Sequence, residues 1–424
     1  MPVAPDVRTN EPVLCEQARL MTGHTHSPFK ERTTFREARA IVDEHVETHG
    51  RTATVPVGEA VGRTVAGTIT AARNVPHYPR AAMDGYAVRA EDTFGASDRS
   101  PQVLTETEGE VRAREARQVH TGSKLPEGAD AVVMVEAVEE VGGEIEVFET
   151  VGERENVGPV GEDVTEGQTL YEAGHRLRPS DVGLLKSTGL GEVSVFERPQ
   201  VAVIPTGEEL VQSDPEPGEI IETNGLTVSE LAESWGASAT YHDIVTDDQE
   251  ALARAIESNL DRDIVVTTGG SSVGERDLLP EVVSELGEVH IHGVGIKPGH
   301  PFTFGTVEGT PVFMLPGYPV SCLINAVQFL RPGIKRAGGL PLEEPPSVEA
   351  RLSEKIRSEP GMRSFARVAL EADDGERIAS AVRASGAGVL SSVALSDGWV
   401  VVPESREGIA AGETVSVERW EFSP

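Results

Sequence analysis

The hydrophobic pattern is most regular between residues 200 and 338, where short apolar runs alternate with segments whose apolar positions recur every three or four. The runs QVAVIPT, DIVVTT and TPVFMLPG predict strands buried on both faces, as in a parallel sheet covered by helices. TNGLTVSELAESWG, DDQEALARAIESNL and DLLPEVVSELG have helical spacing, and further strands are expected at ATYHDIV, EVHIHGV and PFTFGT. A long helix from about Tyr318 to Arg336 closes the series. Strands and helices alternating in this order predict a wound α/β sheet.

Elsewhere the pattern changes. TTFREARAIVDEHVE, from residue 33, reads as an amphipathic helix with a threonine cap. Between 81 and 158, β-formers alternate with glycine turns, which predicts a small β-rich unit. Beyond the proline-rich linker PLEEPPS, residues 348–424 return to short strands and turns, a second β domain or barrel. Residues 1–32 lack periodicity and read as a mobile extension in which Met21 is an alternative start and His24 and His26 are solvated bystanders. A single core stops growing at about 250 residues, so a chain of 424 residues should hold two to four domains.

Charge narrows the function. The chain has 37 basic and 70 acidic residues, a net charge of -33, and only six lysines. Repulsion of that size excludes nucleic acid as a partner. Acidic residues occur in every segment, as on a solvated carboxylate surface suited to a salt-rich cytoplasm. There the Debye length falls to about 3 Å or less, so an anionic substrate must be held by a local, fixed positive site. No apolar run approaches the roughly 20 residues of a membrane span, and the first residues do not read as a signal peptide. Cys15 and Cys322 form no CxxC pair, which fits a reducing compartment without zinc or disulfides. Cys322 lies in an apolar stretch and reads as a core thiol.

Candidate chemistry gathers at strand ends. In DIVVTTGGSSVGERD a buried strand meets a turn with Gly269, Gly270, Ser271, Ser272 and Gly274, where backbone N–H groups and hydroxyls can hold phosphate. Asp277 follows at a helix start, to cap it or to hold Mg²⁺ against a bound phosphate. IKPGHP follows another strand, with Pro298 beside Lys297, the leading point charge for an oxyanion, while Lys124 and Lys186 are weaker candidates. MLPGYPVS brings Pro316, Gly317, Tyr318 and Ser321 to a third strand end, and VIPTGEEL brings Thr206, Gly207, Glu208 and Glu209 to a fourth. Strand-end glycine loops of this kind should meet in one crevice. The chain has no GxSxG, HExxH or full Walker loop.

The ordered motifs AAMDGYAV, TGSKLPEGADAVVMVE, PVGED, PTGEEL, ETNG, TTGGSSVGERD, IKPGHPFTFG and LPGYPVS, spread over about 33 to 420, resemble the molybdopterin molybdenumtransferase family, which includes the E domain of gephyrin. The resemblance implies a homodimer of four-domain subunits. The domains would be an elongated discontinuous one (33–80 and 159–198), a β-rich one (81–158), an α/β molybdopterin-binding one (199–340) and a C-terminal β-barrel (348–424). It implies a site between the third domain of one subunit and the second of its partner, where molybdate enters adenylyl-molybdopterin with loss of AMP and with Mg²⁺. Other cofactor-biosynthesis proteins would be further partners. Matching positions imply catalytic roles for Asp84, Asp163, Glu209, Asp247, Asp277 and Lys297, a substrate-binding role for Thr121, and Asp277 as metal ligand. Two positions depart from the pattern, His300 where a second lysine is common and Tyr318 where asparagine is common, and NVGPVGED lacks the arginines often found before GED. Both keep their place in the binding set, with less positive charge than the family pattern. A tungstate-preferring paralogue or a non-catalytic molybdopterin-binding scaffold is the alternative.

Overall fold

The computed structural model describes residues 32–269, 278–373, 375–382 and 387–422. The readings made for Cys15, Met21, His24 and His26, for most of the phosphate turn and for Asp277 lie outside these residues.

The wound sheet has six strands. From one edge to the other they are Ser238–Tyr241, Gln200–Pro205, Ile264–Thr268, Thr310–Leu315, Thr303–Val307 and Glu288–His292. The first four are parallel. Thr303–Val307 runs against its two neighbours, so Glu288–His292 again points the way of the first four. Five strands therefore end at one edge, and the loops that start at residues 206, 242, 269, 293 and 316 all leave from it.

Continuous apolar runs arise because helices cover both faces. Val201, Val203, Ile264 and Val266 enter one core cluster with Trp235 and Ile334. Ile204, Val265 and Met314 alternate into the other with Leu252, Ile256 and Leu279. The long last helix is interrupted, with α-helix at Pro319–Asn325, a π turn at Ala326–Leu330 and α-helix at Arg331–Ala337. Pro332 has no N–H for the turn before it, and the wide turn falls immediately ahead of it.

The first helix, Phe35–His45, starts with a reciprocal cap. Thr34 Oγ1 accepts from the Glu37 N–H at 3.3 Å, and Glu37 Oε2 accepts from the Thr34 N–H at 3.1 Å. Although adjacent in sequence to the elongated segment, this helix packs on the wound unit. Ala38, Val42 and Val46 join its core, and the His45 ring stacks on His290 at 3.8 Å.

Three antiparallel ribbons take the chain out and back: Thr52–Pro56 with Glu192–Phe196, Ile69–Thr70 with Thr169–Tyr171, and Arg80–Ala81 with Val157–Gly158. Between the outward and return legs lies a six-stranded sheet built from residues 85–147. In the last domain the strands Arg363–Asp373, Glu376–Ala381, Ser347–Leu352, Thr414–Glu418 and Gly398–Val402 pair in a closed ring, a five-stranded barrel. The architecture is the mixed α/β fold with a C-terminal barrel that the sequence predicts.

One buried charge holds the returning leg. Asp181, at 2% exposure, sits in the first turn of helix Pro179–Ser187. It accepts from Arg178 Nη2 at 2.9 Å and from the Arg178 N–H at 2.8 Å, and its Oδ2 lies 2.8 Å from His175 Nε2. Burial alone would raise its pKa, but these partners together hold it well below the usual carboxylate range. A depressed folded pKa adds stability that is complete above the unfolded value and is lost as pH falls towards the folded one. Asp181→Asn should therefore cost roughly 3 kcal/mol at pH 7. The gap to wild type should narrow below about pH 3.8 in urea melts across a pH series.

Candidate active site at the carboxyl edge of the wound sheet

The loops at this edge are drawn together by backbone bonds. The Thr206 N–H donates to Thr268 O at 3.0 Å, the Gly269 N–H to Leu315 O at 3.1 Å, and the Gly207 N–H to Val245 O at 3.2 Å. Gly269 has φ +115°, and a Cβ there would lie 2.1 Å from Thr206 O. Only glycine lets the chain leave the strand Ile264–Thr268 this close to the neighbouring loop. Asn224 Nδ2 donates to Gly317 O at 2.7 Å and ties the ETNG motif to the third loop.

Buried polar atoms at this edge lack partners. The hydroxyls of Thr206 and Thr268, each 1% exposed, have no hydrogen bond among the described residues, and neither has Asp247 Oδ1. Burial, then the nearby carboxylates Glu209 and Glu208, push the Asp247 pKa up.

Beside this edge lies a cavity of about 820 Å³ between the wound domain and the barrel. Glu209, Lys297, Pro298 and His300 line it, as do Pro316, Gly317, Tyr318 and Ser321. Lys297 owes its position to a crossing of domains. The two-residue strand Ile296–Lys297 leaves the loop after the edge strand and pairs, parallel, with Arg363 and Ser364 of the barrel. The ammonium of Lys297 is half exposed and bonded to Glu359 Oε1, and that contact holds the Glu359 carboxyl below the usual range. His300 is pushed down, by burial first and then by Arg32 and Lys297.

The barrel adds Arg357 and Arg367 to the lining, and the wound domain adds Glu222. None of these three stands in the binding set read from the sequence. Arg357 and Arg367 belong to no recognisable motif, and only the folded barrel brings them near Lys297. Glu222 is in ETNG, but its oxygens are taken: it accepts from the Gly225 N–H at 2.6 Å and from Tyr241 OH at 2.6 Å.

Asp84 and Thr121 meet elsewhere, on the second domain. Asp84 Oδ1 accepts from the Thr121 N–H at 2.6 Å and from Thr121 Oγ1 at 3.0 Å, which holds the exposed carboxyl below its usual range. Asp163 is exposed on a nearby loop, where its N–H donates to Val75 O at 3.0 Å. Among the described residues no hydrogen bond or ion pair joins these three to the cavity. Cys322 is fully buried, and its pKa is raised by that burial, as befits a core thiol.

Comparisons with known proteins bear on the whole chain. Residues 33–189 match the MoeA N-terminal region (domains I and II), 202–336 the probable molybdopterin binding domain, and 349–420 the MoeA C-terminal region (domain IV). A putative molybdopterin biosynthesis protein of Methanocaldococcus jannaschii is 39% identical over 89% of this chain and 94% of its own. The molybdopterin molybdenumtransferase of Haemophilus influenzae is 32% identical over 91% of this chain and 98% of its own. The crystal structure of the molybdopterin biosynthesis MoeA protein of Pyrococcus horikoshii superposes with a TM-score of 0.82 at 35% identity, over 92% of this chain and 100% of that one. The chain belongs to the MoeA family, whose curated members include molybdopterin molybdenumtransferases.

Proposed function

We propose that this enzyme of molybdenum cofactor biosynthesis inserts molybdate into adenylylated molybdopterin with release of AMP, and that the reaction is Mg²⁺-dependent. The observation that carries the reading is Lys297, held at the seam between wound domain and barrel and facing a cavity walled by the strand-end loops. In a chain of net charge -33, such a site supplies the local cation that an anionic substrate needs.

The residues present divide the work. Gly269, with Gly270, Ser271, Ser272 and Gly274 after it, would cradle phosphate, and the unpartnered hydroxyls of Thr206 and Thr268 would donate to its oxygens. Lys297 would stabilise charge that develops on the leaving phosphate or on the incoming oxyanion. His300, its pKa lowered by burial, would offer a hydrogen bond to the substrate. Pro298, Pro316, Gly317 and Ser321 shape the wall on which the substrate lies.

Mg²⁺ fits the donor set. Asp247 has a buried oxygen without a partner and is repelled by Glu208 and Glu209, a strain that a hard cation would relieve. No ready cluster of three metal-binding side chains exists among the described residues, so Asp277 and substrate phosphates would complete the shell. When bound, the ion supplies neutralisation of phosphate charge.

Asp84, Thr121 and Asp163 would act from the partner subunit of a homodimer, since they lie on a separate surface of this one. The four-domain division at 33–80 with 159–198, 81–158, 199–340 and 348–424 belongs to the same reading, as do a salt-rich cytoplasm and further partners among cofactor-biosynthesis proteins. Purified full-length protein with Mg²⁺, adenylyl-molybdopterin and molybdate in concentrated potassium chloride should release AMP only when molybdate is present. AMP release that ignores molybdate would overturn the reading, and no release at all would overturn it in favour of a molybdopterin-binding scaffold. Because His300 lowers the charge of the site, the same assay with tungstate decides which oxyanion is preferred.

A further inference from the structure

Tyr318 sits where a helix start usually carries a short polar capping side chain. It precedes helix Pro319–Asn325 with φ -72° and ψ 123°, and its side chain makes no capping hydrogen bond. That position favours Asn, Ser, Thr or Asp, whose oxygen takes an orphan N–H of the first turn. The ring forgoes that bond and leaves a large aromatic side chain 59% exposed. It is nevertheless seated. A Cβ added to Gly388 of the barrel domain would lie 3.4 Å from Tyr318 Cδ1, in ordinary contact, so one edge of the ring faces that glycine across about the width of a methyl group.

The surroundings indicate what the exposed face meets. Ile220 and Ile221, at 59% and 44% exposure, line the same cavity, so three uncovered large apolar side chains share one wall system. Lys297, Arg357 and Arg367 line it as well. Aromatic and aliphatic walls with a few cations, around about 820 Å³, suit a flat ring system that carries an anionic group.

We propose that Tyr318 is a positioning residue, the stacking platform for a planar heteroaromatic ring of the substrate, so that ring contact sets affinity in this cavity. The proposal rests on the function given above, whose substrate carries two such rings, a pterin and an adenine. An aromatic face holds either, because stacking does not depend on the hydrogen-bonding edge. The experiment therefore separates them.

In the full-length protein, Tyr318→Leu should raise KM for adenylyl-molybdopterin about tenfold with kcat little changed, while Tyr318→Phe stays near wild type. Tyr318→Asn should raise Tm, by restoring the cap, and raise KM as well. A purely structural ring would not give that pair of opposed effects. Titration calorimetry with AMP and with 6-carboxypterin reads the contact without turnover: selective weakening of one probe by Tyr318→Leu assigns that ring to the platform. Wild-type KM and unchanged affinity for both probes in the Leu and Asn variants would overturn the platform, as would failure of wild type to bind either probe. Absence of turnover in wild type that still binds a probe would overturn the functional reading alone.

Discussion

Lys297→Ala is expected to lower molybdate-dependent AMP release by about a hundred- to a thousandfold with Tm unchanged. The size follows from removing one charged donor aimed at developing charge in a confined site. Its small effect on stability follows from the setting. Lys297 and Glu359 are both more than half exposed, and their ion pair is screened by solvent and salt. Glu359→Gln is the informative partner: it takes away the group that competes with substrate for the ammonium and should leave turnover at or above wild type. Lys297→Arg should recover only part of the loss, because a planar fork cannot place its charge where a compact ammonium sits. Single-turnover AMP release with a parallel melt checks all three. A Lys297→Ala enzyme that works at the wild-type rate would remove the lysine from the chemistry.

Gly269→Ala should destabilise the protein by roughly 2 to 4 kcal/mol and abolish activity, through two costs that add. A residue with a Cβ at φ +115° is strained by about 1 to 3 kcal/mol. The new methyl would also overlap Thr206 O at 2.1 Å, and Thr206 cannot retreat, since its own N–H is bonded to Thr268 O. Gly317→Ala serves as the control. Among the described residues a Cβ at Gly317 meets only the Gly269 Cα at 3.4 Å, so the cost should be about 1 kcal/mol or less. Urea midpoints for the two variants test the contrast.

Not every retained lysine marks a site. Lys335, one of only six, is 2% exposed and pairs with Glu343 at 3.4 Å, which pins the linker between wound domain and barrel to the last helix. Scarcity of lysine draws attention to a position, and burial then decides between structure and chemistry.

What the sequence determined by itself is local. An apolar run such as IVVTT reads as a strand suited to burial on both faces, and Gly269 directly after it takes a φ of +115° that favours glycine. The alternation of such strands with amphipathic helices settles the wound sheet, and the sheet places the ends of its parallel strands at one edge. Relations between distant segments were left to the tertiary structure. Neither Ile296–Lys297 nor Arg363–Ser364 carries a mark of its partner, because a two-residue pairing leaves no periodicity to read. Nor does the amphipathic face of Phe35–His45 say which core it will cover. The same holds for Arg357, on a two-residue ribbon with Gly408–Ile409, and for Arg367, on a barrel strand, which line the cavity only where the last domain meets the wound domain. Backbone conformation and burial of single elements are encoded within a few residues, whereas the cavity is a property of surfaces brought together by packing.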